Sequence, residues 1–501
     1  MKRYSAVIIF LSSISYLLIF QNYGLNLWDE GVFLNGALRT MEGESVYVNF
    51  NGYPPGRYIL GAALFEIFGI DIPVIRTAVT IMTAIAAVML YSISLRLIPS
   101  PFLAFIPPVL FLASPAVYYN RLYPIFTIFG IYAIFWYLQK EHPYRAIFLS
   151  ISAVISMYFK LEIGIGIAII SMTMLLLKKR LKEFAYFLFT FGLAIIFILL
   201  SYTIRIDIYS LLSDIYSHIF KIADSWGNPF PNLLSPELWK RANIYEIFST
   251  LLFYIPPIIY SLTFFILLRT ANPELRNQIA ITLFFGIYTY NLVIWRAGFD
   301  NLIRCLPPAW ILGGYLLYLF RIKLLKWPGE RILSYAIILL LPLWFLYMMF
   351  FYGDFYSGSI GEMRKPHVHL SLERANNIHI DPVEASWIKE ITEHIKNNTS
   401  SDDTIFTVPL NPIWHFLTDR KNPTYYEWIL PGELKTEAEQ GKVIGQLKKK
   451  LPSFIIYADI AIDNIEERRF SSYAPLIYGF IIENYRLEKT VGFFQIWRHG
   501  K

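Results

Sequence analysis

Long apolar runs separated by short polar turns fill the first 352 residues of the chain. A helix that spans a bilayer needs about 17 to 25 mostly apolar residues. About eleven runs approach that length, and they lie at 4–21, 73–95, 102–119, 122–138, 145–159, 162–177, 184–203, 247–268, 277–295, 303–320 and 332–352. The pattern predicts a polytopic α-helical membrane protein with about eleven transmembrane helices.

Composition agrees with this class, because 55% of the residues are hydrophobic and only 16% are charged. Soluble domains are far less apolar. The formal net charge is +7, but Lys and Arg lie between the apolar runs rather than on one basic face, which argues against nucleic-acid binding. A single cysteine, Cys305, excludes an intrachain disulfide and a cysteine-based zinc site. Met1-Lys2-Arg3 and the apolar run after it lack a small-residue cleavage site, which indicates a retained signal anchor.

Positive charge accumulates in alternate turns, which predicts the orientation of the chain, since Lys and Arg favour the cytoplasmic side. The basic turns are Lys2 and Arg3, Arg96, Lys140 and Arg145, the residues 178–182, Arg269 and Arg276, and the residues 321–331. The N-terminus is therefore predicted to be cytoplasmic. Residues 22–72, residues 204–246 and the whole C-terminal region are predicted to be outside.

The first outer segment is too long for a simple turn. Phe33, Ala37 and Met41 share one helical face, which indicates a short helix in the membrane interface. After the proline-rich turn 51–57, the apolar run 58–68 is short for a span and predicts a second interfacial or re-entrant helix. Apolar residues at helical spacing between 208 and 222 predict a further interfacial helix in the second long outer segment.

From about residue 353 the composition becomes that of a soluble domain. Helical and strand-like patterns alternate there, which predicts an α/β or α+β domain on the outer face. The predicted elements are a helix at 382–396, strands at 404–408 and 454–457, a helix at 469–484, and a strand pair at 485–488 and 490–497. The predicted domains are thus a transmembrane domain at 1–352 and an exoplasmic soluble domain at 353–501.

Asp29 and Glu30 are adjacent carboxylates just after the first apolar run. Carboxylates beside a bilayer are costly unless they face water or a protein cavity, so the pair proposes a site. The alternative is that Asp29 only caps a short helix, because Asp is a favoured N-cap residue. Both readings are compatible with the local sequence.

Four cations lie on the predicted outer side against the positive-inside tendency, and they are Arg57, Arg121, Lys160 and Arg304. Each alone could reach lipid headgroups or form a local ion pair, Lys160 with Glu162 and Arg304 with Asp300. Taken together with the outer carboxylates, they suggest a site in which cations hold an anionic group while a carboxylate acts nearby.

These residues together resemble the GT-C glycosyltransferases. The similarity lies in the outer Asp29-Glu30 pair, in Tyr53-Pro54-Pro55-Gly56-Arg57-Tyr58, in Arg121, in Lys160-Leu161-Glu162-Ile163-Gly164 and in Arg304-Cys305-Leu306-Pro307-Pro308. The protein O-mannosyltransferases and the lipid A aminoarabinose transferases look most similar. The tail adds Ile405-Phe406-Thr407-Val408-Pro409 and residues 414–420, which resemble the outer domain of prokaryotic members and favour a prokaryotic plasma membrane. An acidic residue usual near the second outer loop is replaced by Asn120, which favours a metal-independent member.

The resemblance implies transfer of a sugar from a polyprenyl phosphate to an acceptor hydroxyl outside the membrane, with inversion. Asp29 would be the general base with Glu30 second, and Arg57, Arg121, Lys160 and Arg304 would hold the lipid phosphate. It implies no cofactor and no metal, a polyprenyl-phosphate sugar as donor, and a glycan, lipid or protein acceptor. Possible substrate contacts are Tyr53, Glu162, His218 and Asp300.

Other functions are also compatible with the sequence. A transporter or a flippase of lipid-linked sugars would also have many spans, although the sequence has no internal repeat and no matched pair of broken spans. A non-catalytic scaffold would not need the four cations. His367, His369 and His379 could form a metal cluster or a solvated linker, and Asp207 with Asp214 could hold a metal or be solvated helix charges.

Overall fold

The computed structural model describes residues 2–114, 118–203, 227–241, 243–324, 331–353 and 359–500, with a few single positions between 206 and 225. The chain divides into two compact units. The helical unit comprises Met1–Gln21, Thr77–Phe197 and Asn228–Lys365. The mixed unit comprises Asn22–Arg76, Ile198–Gly227 and Pro366–Lys501. The first outer segment thus belongs to the same unit as the C-terminal region, whereas the sequence predicted a single boundary near residue 353.

Helices account for most of the described chain. Those before residue 204 are α1 (Lys2–Phe20), α2 (Asp29–Met41), α3 (Gly56–Phe68), α4 (Ile72–Leu97), α5 (Pro101–Ala104), α6 (Ile106–Ala113), α7 (Leu122–Gln139), α8 (Pro143–Phe159), α9 (Leu161–Leu177) and α10 (Leu181–Thr203), with a 3-10 turn at Tyr118–Arg121. The described helices of the next part are α11 (Pro236–Arg241), α12 (Ile244–Leu252), α13 (Ile255–Arg269), α14 (Pro273–Trp295), α15 (Phe299–Cys305), α16 (Pro307–Leu324) and α17 (Arg331–Tyr352). Those of the C-terminal region are α18 (Ile360–Met363), α19 (Pro382–Asn397), α20 (Ile413–Thr418), α21 (Glu437–Lys449), α22 (Phe470–Tyr473) and α23 (Pro475–Asn484).

Each of the predicted apolar runs falls on an apolar helix or helix pair. Within the described residues, five of these helices are long and apolar enough to cross a membrane: Ile72–Leu97, Leu122–Gln139, Leu181–Tyr202, Ile244–Arg269 and Pro273–Trp295. The bent pair α15 and α16 would be a sixth, and its 61° bend lies where Pro307 begins α16. The other runs are shorter apolar helices. Several spans are thus supported, and a total of about eleven stays a prediction.

Close helix packing forms the core of the helical unit. A Cβ atom on Gly166 of α9 would lie 2.5 Å from the ring of Tyr288 on α14, so only glycine permits this approach. The Tyr288 hydroxyl then donates a hydrogen bond of 2.5 Å to the backbone carbonyl of Glu162 at the start of α9. Small residues of this kind let apolar helices pack closely. The contact fixes the first turn of α9 against α14.

The mixed unit contains a four-stranded sheet of β3 (Ile405–Val408), β4 (Phe454–Ala458), β5 (Tyr485–Val491) and β6 (Phe494–His499) in the order β3-β4-β6-β5. Strands β3 and β4 are parallel and wholly buried, as expected for short continuous apolar runs. The other pairings are antiparallel. A short ribbon joins β1 (Val368–His369) and β2 (His379–Ile380). The sheet confirms the predicted class of the C-terminal region.

The C-terminal elements agree closely with the sequence pattern. Helix α19 buries Ala385, Ile388, Ile391 and Ile395, which are the residues that predicted it. The single helix predicted at 469–484 is two helices, because Pro475 starts a new helix after Ala474 leaves helical geometry. The predicted closing strand pair is the β5–β6 hairpin.

Helix α2 is covered by protein, which differs from the expected interfacial helix. Nine consecutive residues, Glu30 to Leu38, are buried. A Cβ atom on Gly31 would lie 2.7 Å from the backbone nitrogen of Ile413 in α20, and one on Gly36 would lie 2.4 Å from the Tyr58 ring in α3. The apolar positions of α2 therefore face α3 and α20 within the mixed unit. A helix lying in the membrane interface would instead keep one apolar face for lipid.

Candidate functional sites in the two units

Asp29 is the first residue of α2, and it is half-buried. The N-cap position belongs to Trp28, whose side chain makes no capping hydrogen bond. The side-chain oxygen of Asn26 instead accepts hydrogen bonds from the backbone N–H groups of Trp28 (3.1 Å) and Asp29 (2.7 Å). Asn26 therefore makes the side-chain hydrogen bonds at the start of α2 that the alternative reading assigned to Asp29. The positive end of the helix dipole favours the ionised form of a carboxylate at this position.

Glu30 forms a buried ion pair with Arg76. The Arg76 Nε and Nη2 atoms donate to the two carboxylate oxygens at 2.7 and 2.8 Å, and Nη2 also donates to the Gly24 carbonyl at 2.8 Å. Glu30 is 3% exposed and Arg76 is fully buried. This bidentate geometry holds the segment before α2 against the start of α4. Both carboxylate oxygens of Glu30 are therefore engaged by Arg76.

Arg57 lies in the first turns of α3, in the same unit as Asp29. It is 1% exposed, and its guanidinium carbon is 4.5 Å from the centre of the Tyr53 ring. Tyr53 in turn packs on Trp428, with ring centres 5.1 Å apart. The mixed unit therefore brings together Asp29, Glu30, Tyr53 and Arg57 of the predicted site residues.

The helical unit gathers the other three predicted cations at helix junctions, around Tyr123 at the start of α7. Lys160, between α8 and α9, lies 5.7 Å from the centre of the Tyr123 ring and pairs with Glu162 at 3.1 Å. Arg304 near the end of α15 and Glu162 both act electrostatically on Tyr123. Arg121 ends the preceding 3-10 turn, where its guanidinium lies 4.3 Å from the Tyr118 ring centre. We call Arg121, Lys160 and Arg304 the cation cluster.

Helices α7, α8 and α9 pack on one another, and the 5.7 Å distance between Lys160 and the Tyr123 ring places the α8–α9 junction beside the start of α7. Arg121 is 2% exposed, while Lys160 and Arg304 are half-buried. Guanidinium and ammonium groups are the side chains that suit an anionic ligand such as a phosphate. The cluster can therefore stabilise a phosphate at one end of an apolar bundle.

The helical unit also contains an apolar cavity of about 280 Å³. Residues of α6, α12, α13, α16 and α17 line it, among them Leu110, Phe248, Leu262, Trp310 and Phe345. The walls carry almost no polar atoms, and apolar cavities of this kind stay dry or take up hydrocarbon. A lipid chain has the chemistry that suits such a cavity.

Of the remaining predicted substrate contacts, only Asp300 lies in the part of the chain that the structure describes. Asp300 is exposed in the first turn of α15. His218 lies outside the described residues, as do Asp207 and Asp214. These positions stay predictions.

The three histidines meet on the β1–β2 ribbon. His369 is paired with His379 across the strands, and their ring centres are 3.9 Å apart. Tyr23 extends the ribbon, with its ring stacked 5.0 Å from that of His379. Among the described residues no group of three or more His, Cys, Asp or Glu side chains has a geometry that could hold a metal ion. The cluster instead ties the segment before α2 to the C-terminal region.

Two residues that the sequence analysis missed organise these sites. Arg76 was counted as part of the second apolar run, although an arginine near the outer end of a span was a signal for a buried partner. Glu427 lies in the C-terminal region with only 1% of its surface exposed. Burial opposes its ionisation, but Arg39, His415 and Asn35 together lower the pKa of Glu427 below its ordinary value. Asn35 and Arg39 lie about 390 residues away from it in sequence, so no local pattern predicts these two contacts.

Acid is expected to destabilise the mixed unit through its buried histidines. His415 is 2% exposed, and its ring nitrogens lie 3.1 Å from the Thr407 hydroxyl and 3.0 Å from the Arg420 carbonyl. Burial lowers the pKa of His415, and burial together with His369 and His367 lowers that of His379. The unfolded chain therefore takes up protons first, and the free energy of unfolding falls as the pH drops below 6.5, the ordinary value.

The measurement is the free energy of unfolding in mild detergent between pH 7.5 and 5.5. Each histidine contributes at most about 1.4 kcal/mol per pH unit to the slope of the free energy of unfolding against pH. The His415→Gln variant should lose part of the slope, and the control variant His142→Gln should keep it. A slope equal in wild type and His415→Gln would contradict the assignment.

Comparisons with known proteins agree with the resemblance in fold. No protein-family model and no curated protein sequence matches the chain. Solved structures with a similar fold include ArnT from Cupriavidus metallidurans bound to undecaprenyl phosphate, with a TM-score of 0.55 and 10% identity over 99% of this chain and 97% of that one. They also include the oligosaccharyltransferase AglB from Archaeoglobus fulgidus in complex with an inhibitory peptide and a dolichol phosphate, with a TM-score of 0.53 and 10% identity over 100% of this chain and 75% of that one.

A further structure is that of the Archaeoglobus fulgidus oligosaccharyltransferase tethered to an acceptor peptide containing the NVT sequon. Its TM-score is 0.57, with 11% identity over 99% of this chain and 74% of that one. These proteins belong to the GT-C superfamily. The expected resemblance is thereby confirmed at the level of the fold.

Proposed function

We propose, from the premise that the chain has the fold of the GT-C membrane glycosyltransferases, that it transfers a sugar from a polyprenyl-phosphate donor to an acceptor hydroxyl. The fold extends over nearly the whole chain, and structures with this fold hold undecaprenyl phosphate or dolichol phosphate. Fold alone does not determine function, so the proposal rests on the site residues as well.

The cation cluster is the observation that carries the proposal. Arg121, Lys160 and Arg304 gather near Tyr123 at one end of an apolar helix bundle. A lipid phosphate combines an anionic group with a long apolar chain, and the same unit offers both cations and an apolar cavity. A purely structural bundle would not need cations beside an apolar cavity. A protein that acts on a soluble substrate would not need them together either.

Asp29 is proposed as the general base, with Glu30 second. A hydroxyl attacks poorly unless its proton is removed as the new bond forms. In the proposed step the acceptor oxygen bonds to the anomeric carbon, its proton passes to the Asp29 carboxylate, and the bond from that carbon to the phosphate oxygen breaks. Attack opposite the leaving group inverts the anomeric centre.

The proposed leaving group needs cations rather than a catalytic acid. A glycosidase must protonate its leaving oxygen, whereas a polyprenyl phosphate leaves as a stable anion. Arg57 and the cation cluster are proposed to stabilise the charge that accumulates on it, so the step is proposed to need no metal. Tyr53, Glu162, His218 and Asp300 remain proposed substrate contacts. The distribution of basic turns supports a reaction on the outer side of the membrane, and the resemblance of the C-terminal region supports a prokaryotic plasma membrane.

The experiment uses the purified full-length protein in detergent or proteoliposomes. It is given radiolabelled polyprenyl-phosphate sugars and an extract that contains lipid, glycan and protein acceptors. Label in an acceptor, with release of polyprenyl phosphate, is the expected result. Movement of labelled lipid across proteoliposomes without any transfer would overturn the proposal in favour of a flippase.

Removing a cation from the cluster is expected to weaken donor binding. In the Arg304→Ala and Lys160→Ala variants, the KM for the donor should rise about 10- to 100-fold, because hydrogen bonds to charged groups contribute about 1.5–3 kcal/mol. Donor titrations at low and high salt measure the effect. Arg269→Ala is the control, because Arg269 is in the last turn of α13, on the predicted cytoplasmic side. Equal KM values in the Arg304→Ala variant and wild type would contradict the assignment.

A further inference from the structure

One short segment of the C-terminal region, residues 425–433, contacts both parts of the first outer segment that carry proposed site residues. Its first contact is with α2, which begins at Asp29. Its second is with the turn at 51–57, which ends at Arg57. All of these residues belong to the mixed unit. The segment is therefore placed to set the position of one proposed site residue relative to the other.

The side chain of Glu427 holds α2. Its carboxylate accepts a hydrogen bond of 2.5 Å from the Asn35 amide and forms an ion pair with Arg39. Asn35 and Arg39 lie one turn apart on α2, so the two contacts fix the rotation of the helix about its axis. Arg39 also donates to Glu44 at 2.6 Å and to the Asn49 carbonyl at 3.1 Å, which extends the network beyond the end of the helix.

The side chain of Asn51 holds the turn. Its oxygen accepts from the backbone N–H of Glu427 at 2.6 Å, and its amide donates to the Trp428 carbonyl at 3.1 Å and to Glu433 at 2.8 Å. The backbone N–H of Asn51 donates to the Tyr425 carbonyl at 2.9 Å. Two residues further on, Tyr53 packs between Trp428 and the guanidinium of Arg57.

We infer that Glu427 and Asn51 are positioning residues, Glu427 for the proposed base Asp29 and Asn51 for the proposed phosphate ligand Arg57. The inference rests on the proposed function. It gives the C-terminal region a role in the reaction itself, because this region holds the two parts of the first outer segment in a fixed arrangement. Transfer of a sugar needs the base and the phosphate ligand in a single geometry, and a shift of about 1 Å costs about 100-fold in rate.

Substitutions at Glu427 and at Asn51 are expected to change different kinetic constants. Glu427→Gln keeps the shape but removes the charge opposite Arg39, so α2 and Asp29 should shift while Arg57 stays in place. The first-order rate constant for transfer from bound donor should then fall about 10- to 100-fold, with the KM for the donor within about twofold of wild type. Asn51→Ala should raise the KM for the donor about tenfold and change that rate constant much less.

Single-turnover experiments separate positioning from loss of folded protein. Enzyme that has already bound a radiolabelled polyprenyl-phosphate sugar is mixed with acceptor, and the time course gives an amplitude and a rate constant. A structural role alone would lower the amplitude and leave both the rate constant and the half-saturating donor concentration unchanged. Glu437→Gln is the matched control, because Glu437 is an exposed carboxylate at the start of α21 in the same unit.

The outcomes distinguish this inference from the proposed function. If wild type transfers sugar and both variants lose only amplitude, the positioning role is overturned while the transferase stands. If both variants change the same constant equally, the assignment of Glu427 to Asp29 and of Asn51 to Arg57 is overturned. If wild type transfers no sugar from any donor, the proposed function itself is overturned, together with the inference that rests on it.

Discussion

Replacing Asp29 with asparagine is expected to lower the rate of sugar transfer about 10²- to 10⁴-fold, which is the usual contribution of a general base. The asparagine amide has nearly the same shape but does not accept a proton at neutral pH. Asn26 makes the hydrogen bonds at the start of α2, so the helix should form normally in the variant. The expected loss is therefore chemical rather than structural.

The measurement is the single-turnover rate of transfer in wild type and in the variant, with donor binding measured separately. Donor affinity should stay within a few-fold of wild type, since Asp29 carries no positive charge for the phosphate. Asp29→Glu should retain part of the rate, because it keeps a carboxylate one methylene further from the backbone. Transfer by Asp29→Asn at the wild-type rate would show that another group removes the proton.

Breaking the Glu30–Arg76 pair is expected to destabilise the mixed unit by about 3–5 kcal/mol, the usual cost of leaving one charge of a buried pair without its partner. Glu30→Gln leaves the Arg76 guanidinium buried with a neutral amide in place of the carboxylate. Arg76→Met leaves the Glu30 carboxylate without its two charged donors. Arg76→Met also removes the donor to the carbonyl of Gly24, which accepts from Arg76 Nη2 at 2.8 Å in wild type.

This loss is measured as the change in the free energy of unfolding in mild detergent. The fluorescence of the mixed unit is the signal. The control is Glu373→Gln, which breaks the exposed 3.0 Å pair of Glu373 with Lys396 in the same unit. Such exposed pairs contribute about 0–1 kcal/mol. The double variant Glu30→Leu with Arg76→Met should recover much of the stability, since an apolar pair can replace a buried ion pair. A loss below 1 kcal/mol in both single variants would show that the pair is weak.

The two experiments assign different roles to adjacent carboxylates. Asp29→Asn should lose activity with little loss of stability, whereas Glu30→Gln should lose stability first. From the sequence, both residues are predicted as candidate bases, with Asp29 first and Glu30 second. The distinction comes from Arg76, which donates to both carboxylate oxygens of Glu30.

Local pattern was a reliable guide to the elements of this chain. The apolar runs all fall on apolar helices, and α19 buries the four residues that predicted it. The resemblance in motifs agrees with a similarity in fold that extends over 99% of the chain. The reason is physical, since a bilayer fixes the length of apolar helices and a buried face fixes the period of apolar residues.

Local pattern was a poor guide to how those elements associate. Helix α2 has an apolar face that suits either a membrane interface or a protein neighbour, and periodicity does not tell them apart. In the structure that face is covered by α3 and α20. The predicted boundary near residue 353 likewise separated two segments that belong to one compact unit.

The order and type of the helices and strands and the membrane class could be predicted from residues close together in the chain, because bilayer length and strand period act locally. The partners of Glu30 and Glu427 could not. Arg76 lies 46 positions from Glu30, and Glu427 lies 392 positions from Asn35. A buried charge is stabilised by whichever partner the folded chain brings within hydrogen-bonding distance. No local sequence pattern predicts which residue that partner is. Long-range packing therefore placed Glu30 in a buried ion pair and joined the first outer segment to residues 425–433.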